Sequence, residues 1–145
     1  MEIGGGVLGV VALITWVIAA LGGFFMLGVW LRRGAARRGG GATTRLAPPL
    51  VFGHFLLAAV GLVVWIVYMF TDAQALSWIA LALLVVVAAL GFTMFARWIG
   101  QRRRPVDAEP TAERHFPVAV VAGHGVFAAT TLVLVLLVAL AIAGS

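Results

Sequence analysis

The stretch PPLVFGHFLLAAVGLVVWIVYMF, residues 48–70, decides the fold class of this chain. It carries no acidic or basic residue apart from one histidine, and it exceeds the roughly 20 helical residues that cross the hydrocarbon core of a bilayer. Two prolines stand at its start, where a helix tolerates a missing amide proton. The stretch predicts a transmembrane helix, and it raises the question of what an apolar span does with the imidazole of His54.

Three further apolar segments, at about 6–31, 77–99 and 117–143, are also long enough to cross a bilayer. The 145 residues are 63% hydrophobic and only 10% charged, which lies outside the composition of soluble domains. The sequence therefore predicts an all-α protein, a polytopic membrane four-helix bundle that forms a single transmembrane domain over residues 1–145.

The basic residues indicate the orientation of the helices. All ten are arginine, and they lie in or flank the loop between the first two segments and the loop between the last two. By the positive-inside rule both loops are cytoplasmic, so both termini and the 71–76 turn are extracytoplasmic. The first segment has no basic residue before its long apolar run, which predicts a retained helix rather than a signal peptide. The arginines are Arg32, Arg33, Arg37, Arg38, Arg45, Arg97, Arg102, Arg103, Arg104 and Arg114.

Composition also bounds the partners and the compartment. The net charge of +5 is distributed by topology, so it indicates anionic lipid headgroups rather than nucleic acid. The absence of cysteine excludes disulfides, iron–sulfur clusters, thiolate metal sites and covalently attached c-type haem. Abundant Ala, Gly, Val and Arg without Lys are typical of a GC-rich bacterial genome, which predicts a bacterial cytoplasmic membrane. The loop residues Asp107, Glu109 and Glu113 are expected to be solvated, and Trp30, Trp78, Trp98 and Tyr68 to anchor the helix ends at the membrane interfaces.

Two motifs occur twice. GHFLLAA at 53–59 returns as GHGVFAA at 123–129, and GFFMLGVW at 23–30 returns as GFTMFARW at 91–98. The order and the nearly equal offsets, 70 and 68 residues, predict an internal repeat of about 1–72 and 73–145. Each repeat is a helical hairpin, and because both hairpins have the same orientation the repeat is parallel. The alternative is chance similarity between apolar helices.

The two histidines of the repeated motif are predicted to share a depth in the membrane. His54 follows Pro48 by six residues and His124 follows Pro117 by seven, so both lie about 9 to 11 Å inside their helix starts. Ionisable residues within a span are costly and usually functional. The alternative is a neutral histidine that is hydrogen-bonded to a neighbouring hydroxyl or carbonyl.

The number of ligands favours haem b over a bare metal ion. Zinc needs three or four protein ligands, whereas a haem needs only its two axial positions filled. We therefore expect His54 and His124 to be the axial ligands of one haem iron. Small residues next to the histidines leave room for the macrocycle, although they also promote helix packing. Two arginines at the cytoplasmic rim can pair with propionates, although the positive-inside rule explains them too. These residues are Gly53, Ala58, Gly125 and Ala128, and Arg45 and Arg114. His115 is expected to be solvated or to contact a propionate or a quinone.

At the paired Gly-His-x-x-x-Ala-Ala motifs the chain resembles small four-helix membrane cytochromes that hold haem b between histidines on facing helices. This resemblance implies electron transfer, either to or from quinone or as the membrane anchor of a redox complex or soluble oxidoreductase. It leaves open whether the chain has enzymatic activity of its own, and an electron-transfer or accessory role is favoured over a stand-alone enzyme.

Two other classes of protein compete with a cytochrome. One is a cofactor-free structural or accessory subunit of a membrane complex, in which the small residues pack helices. The other is a small transporter built on a parallel repeat, which the absence of interrupted helices and of a midplane charge disfavours. The glycine-rich stretch LGGFFMLG at 21–28 is compatible with a homodimer.

Overall fold

The computed structural model describes residues 5–34, 43–105 and 111–143. Four α-helices follow one another along the chain, and a single 3-10 turn, η1, precedes the last of them. No strand occurs among the described residues. Each α-helix is long and apolar enough to cross a membrane, so the expectation of an all-α, multi-pass membrane protein is confirmed. The elements are α1 (Gly6–Arg32), α2 (Pro48–Thr71), α3 (Gln74–Arg102), η1 (Ala112–His115) and α4 (Val118–Ala143).

The helix bounds agree with the apolar segments except in α3. This helix covers Gln74–Arg102, whereas the apolar segment suggested about 77–99. The extra residues, three at each end, include Gln74, Gln101 and Arg102, which are polar and favour a helix. A helix need not end where the hydrocarbon ends. The α2–α3 connection is short: Asp72 adopts a left-handed conformation (φ 52°), and its amide donates to the carbonyl of Tyr68.

The four helices form a bundle in which the first and the last helix are one of the two best-packed pairs. The most extensive contacts join α1 to α4 and α2 to α3; α3 and α4 touch less, and α1 and α2 least. Among the described residues α2 and α4 make no close backbone approach, and neither do α1 and α3. These two pairs therefore lie on the diagonals of the bundle, so side chains that point inward from α2 and α4 meet at its centre.

Two apolar clusters fill the interior. The described arginines all lie near one end of the bundle, the end at which α1 and α3 terminate. We call it the basic end. The basic-end cluster consists of Trp30, Leu46, Val51, Trp98, Ala112 and Phe116. The distal cluster lies toward the other end and consists of Ala12, Trp16, Trp65, Tyr68, Met69, Ala80, Leu84, Val135 and Val138.

Three of the four aromatic residues expected at the membrane interface belong instead to these clusters. Trp30 is 1% exposed, Trp98 7% and Tyr68 0%, whereas Trp78 is 40% exposed. The expectation of an interfacial belt is wrong for the first three, because a large apolar ring near a helix end can also fill the bundle interior.

Burial follows the offsets of the sequence motifs. All ten positions of 61–70 have the same degree of burial as the positions 70 residues later, 131–140. Between α1 and α3, buried residues recur 68 residues apart. The buried pairs are Gly9 and Ser77, Ala12 and Ala80, Trp16 and Leu84, Ala19 and Val87, and Trp30 and Trp98.

Candidate functional site: the histidine pair

His54 lies in the layer between the two clusters and is fixed by the neighbouring helix α3. Its Nδ1 is 3.0 Å from the carbonyl oxygen of Val87. Its ring lies against Gly91, where an added Cβ would be only 3.2 Å from His54 Cε1. A backbone carbonyl and a residue without a side chain thus together set the position of this imidazole.

His124 is held in the same way by α1. Its Nδ1 is 2.8 Å from the carbonyl oxygen of Ala19. An added Cβ at Gly23 would lie 3.3 Å from His124 Cε1, and one at Gly22 would lie 3.4 Å from His124 Cβ. The carbonyls of Ala19 and Val87 are 68 residues apart, as are Gly23 and Gly91, so the two histidines have equivalent surroundings.

The two imidazoles meet across the bundle. Their ring centroids are 6.2 Å apart and their planes make an angle of 61°. Both side chains are partly buried. Because α2 and α4 lie on a diagonal, the pair occupies the centre of the bundle, and the structure brings these two predicted site residues together.

The hydrogen bonds fix the tautomer of both rings. A carbonyl oxygen only accepts hydrogen bonds, so each Nδ1 carries the hydrogen and donates it. Each neutral ring then has its lone pair on Nε2, and the hydrogen bonds of both rings to described residues use Nδ1 alone. A metal-ligating histidine is commonly oriented in this way, with its other ring nitrogen donating to a carbonyl or carboxylate.

The donor set suits a metal that needs only two protein ligands. Two imidazoles on opposite sides of one metal ion, each about 2 Å from it, place their ring centroids roughly 6 Å apart, which agrees with the observed 6.2 Å. The described residues contain no group of three or more His, Cys, Asp or Glu that could hold a metal ion. A metal that brings its own equatorial ligands, as in haem, therefore fits better than a zinc ion held by the protein alone.

The small residues next to the histidines in sequence have looser surroundings than expected. An added Cβ at Gly53 or Gly125 would meet no atom within 4 Å. Ala58 and Ala128 are half-buried. The glycines that contact the imidazoles are Gly22, Gly23 and Gly91, which we did not predict as site residues. A sequence signal for two of them existed, since Gly23 and Gly91 begin the repeated Gly-Phe-x-Met motif.

The predicted arginines and His115 lie at the basic end. Arg45 is exposed; its backbone amide donates to Glu113 Oε1 at 2.8 Å, and its carbonyl accepts from Arg97 Nη1 at 2.9 Å. Arg114 lies in η1 and is half-buried. His115 is exposed, as expected of a solvated side chain, and its Nδ1 lies 3.2 Å from the carbonyl oxygen of Thr111.

A buried carboxylate joins the two loops at the basic end. Glu113 is 0% exposed; its Oε2 accepts from Thr44 Oγ1 at 2.9 Å, and Thr44 Oγ1 in turn accepts from Trp30 Nε1 at 3.0 Å. The amide of Ala112 also donates to the carbonyl of Thr43. The expectation that Glu113 is solvated is therefore wrong, because donors from the other loop satisfy its oxygens. Arg37, Arg38, Asp107 and Glu109 lie outside the described residues.

Comparison with known proteins found no match among family models, curated proteins or solved structures.

Proposed function

We propose that this protein binds one haem b in a bacterial cytoplasmic membrane, with His54 and His124 as the axial ligands, and that it transfers electrons. The observation that carries the proposal is the facing pair of imidazoles, each with Nδ1 donating to a carbonyl and with 6.2 Å between ring centroids. Haem supplies the remaining four nitrogens and a redox-active iron. Two axial histidines leave the iron without an open position, which favours electron transfer over oxygen activation.

The glycines of α1 and α3 support this assignment. A macrocycle between the two rings would extend from the α2–α4 diagonal toward α1 and α3. At the level of the histidines those helices present Gly22, Gly23 and Gly91, which have no side chains. These glycines let α1 and α3 approach the imidazoles closely and so would orient the two ligands, while the two apolar clusters exclude water on either side.

The arginines supply charge complementarity on one side of the bundle. Arg45 and Arg114 lie at the basic end, where they are suited to pair with propionates. A quinone or a soluble oxidoreductase subunit is the class of redox partner that such a cytochrome serves. The haem protein would then act as a quinone-linked or membrane-anchor subunit of a redox complex. Its lipid partners at the basic end would be anionic headgroups.

The proposal includes the orientation and origin of the fold. Both Arg-rich loops are cytoplasmic and both termini extracytoplasmic, since the positive-inside rule places them so. Residues of about 1–72 and 73–145 are two copies of one helical hairpin, related by an axis along the membrane normal. The equivalent burial of 61–70 and 131–140, and the matched contacts of the two histidines, support the repeat.

A cofactor-free accessory subunit is the second candidate. The observation that favours it is the same pair of Nδ1 bonds, which join α2 to α3 and α4 to α1 and so stabilise the bundle without a ligand. The visible spectrum of the full-length protein, purified from haem-supplied cells, separates the two. A Soret band and a sharp reduced α-band at stoichiometric haem support the cytochrome, and their absence supports the accessory subunit.

A further inference from the structure

Three buried polar atoms at the basic end have no hydrogen-bond partner among the described residues. They are Trp98 Nε1, Gln101 Nε2 and Thr111 Oγ1. Their residues are 7%, 3% and 3% exposed. Each of these atoms carries a hydrogen that it can donate. Because buried donors are nearly always paired in folded proteins, such a group of three indicates an acceptor that the described residues do not supply.

The three atoms belong to adjoining elements. Trp98 and Gln101 are one turn apart on α3, so they share a helix face. Thr111 precedes η1, and η1 packs against the end of α3. Ala112, the residue after Thr111, lies in the same apolar cluster as Trp98. The three donors therefore belong to the part of the basic end where α3 and η1 pack together, on the basic-end side of the histidines.

The other half of the bundle contains an acceptor for the tryptophan that corresponds to Trp98. Trp30 and Trp98 are both buried and 68 residues apart. Trp30 Nε1 donates to Thr44 Oγ1 at 3.0 Å. The position 70 residues after Thr44 is Arg114, which has no hydroxyl and no acceptor. Trp98 therefore retains a donor that the equivalent tryptophan has already used.

The charge of the region selects the kind of acceptor. The guanidinium of Arg102 lies 5.3 Å from the centroid of the Trp98 ring. Arg103 and Arg104 follow it at the end of α3. The buried carboxylate of this region, Glu113, already accepts from Thr44 and from the amide of Arg45. Unpaired donors close to an arginine favour an anionic acceptor.

We infer that Trp98, Gln101 and Thr111 form a binding site for an oxyanion, a carboxylate or a phosphate, at the basic end of the bundle. Two molecules can supply this chemistry. One is the propionate of a bound haem, in which case the inference rests on the proposed function. The other is the phosphate of a lipid headgroup, in which case it does not.

The first experiment tests the propionate. The experiment compares the wild-type full-length protein with three variants, Trp98→Phe, Gln101→Leu and Trp30→Phe. Each protein is titrated with haem and with haem dimethyl ester, whose propionates are uncharged. If a propionate is the ligand, the wild type binds haem about tenfold or more tightly than the ester. Trp98→Phe and Gln101→Leu reduce that preference, whereas the matched control Trp30→Phe retains it.

The second experiment tests the lipid phosphate. The same four proteins are delipidated in detergent, and their thermal midpoints are measured with added phosphatidylglycerol or with diacylglycerol, which lacks the phosphate. If a lipid phosphate is the ligand, phosphatidylglycerol alone raises the midpoint of the wild type and of Trp30→Phe. The shift is smaller for Trp98→Phe and Gln101→Leu.

The two experiments separate the inference from the haem proposal. A wild-type protein that takes up no haem overturns the proposed function, and the lipid experiment then decides the oxyanion site alone. If Trp98→Phe and Gln101→Leu match Trp30→Phe in both experiments, the inference is overturned. Should Trp98→Phe fail to fold, Gln101→Leu decides the result.

Discussion

Gly23 and Gly91 stand in the same relation to the two histidines: an added Cβ would lie 3.3 Å from His124 Cε1 at Gly23 and 3.2 Å from His54 Cε1 at Gly91. Each glycine lies four residues after the carbonyl that accepts from the same imidazole. One turn of α1 thus contacts the imidazole of His124, and one turn of α3 contacts that of His54. Each turn has the accepting carbonyl at one end and the glycine at the other.

Leucine at either of these glycines should displace the imidazole. Gly91→Leu and Gly23→Leu are expected to lower the free energy of unfolding by about 1 to 3 kcal/mol, since a well-packed interior must shift to admit the side chain. Thermal or denaturant unfolding in detergent measures the change. Gly28→Leu is the control, because an added Cβ there meets nothing within 4 Å. Equal stability of all three variants would contradict the close packing at the histidines.

If His54 and His124 are the axial haem ligands, as proposed, loss of either should abolish the low-spin haem spectrum. His54→Ala and His124→Ala each remove one of the two paired imidazoles, so a bound haem iron would keep a single protein ligand. Haem content per protein, measured alongside the spectrum, detects replacement by another ligand. His115→Ala is the control and should leave the spectrum unchanged, because His115 is exposed and lies outside the pair. A normal spectrum in both His54→Ala and His124→Ala would refute the assignment.

The orientation of the bundle can be tested without the cofactor. Reporter fusions after Ser145 and within the Gly39–Gly41 segment should report opposite sides of the membrane, the first extracytoplasmic and the second cytoplasmic. The reason is that all ten arginines lie in or flank the two loops that are expected on one side. A cytoplasmic reporter at Ser145 would reverse the topology and move the histidines to the outer half of the bilayer.

The sequence could predict the four spans and the pair of histidines, because length, hydropathy and a repeated motif are local properties. It could not predict which helices pack together. Gly23 and Gly91 were visible as motif residues, but their contact with the histidines depends on α1 packing against α4 and α2 against α3. The burial of Trp30 and Trp98 could not be predicted for the same reason, since a tryptophan near a helix end suits either the membrane interface or the bundle interior.

The burial of Glu113 was unpredictable for a related reason. Its partners Thr44 and Arg45 lie 69 and 68 residues earlier in the chain. No local pattern links a glutamate in one polar loop to a hydroxyl in another. The two loops meet only because the helices that flank them end at the same side of the bundle.

Removal of the Glu113 carboxylate should therefore loosen the basic end. Glu113→Ala leaves the hydroxyl of Thr44 and the amide of Arg45 without their acceptor, and unpaired buried groups cost about 1 to 3 kcal/mol. Glu113→Gln keeps one carbonyl oxygen and should lose less. The free energy of unfolding in detergent is measured for both variants. The control is Asp72→Asn, which also replaces a carboxylate by an amide. Asp72 is exposed, and asparagine tolerates its left-handed conformation. Hydrogen exchange at the amide of Arg45 should accelerate in Glu113→Ala, since this amide donates to Glu113 Oε1 at 2.8 Å. Unchanged stability and exchange in Glu113→Ala would show that the carboxylate does not hold the two loops together.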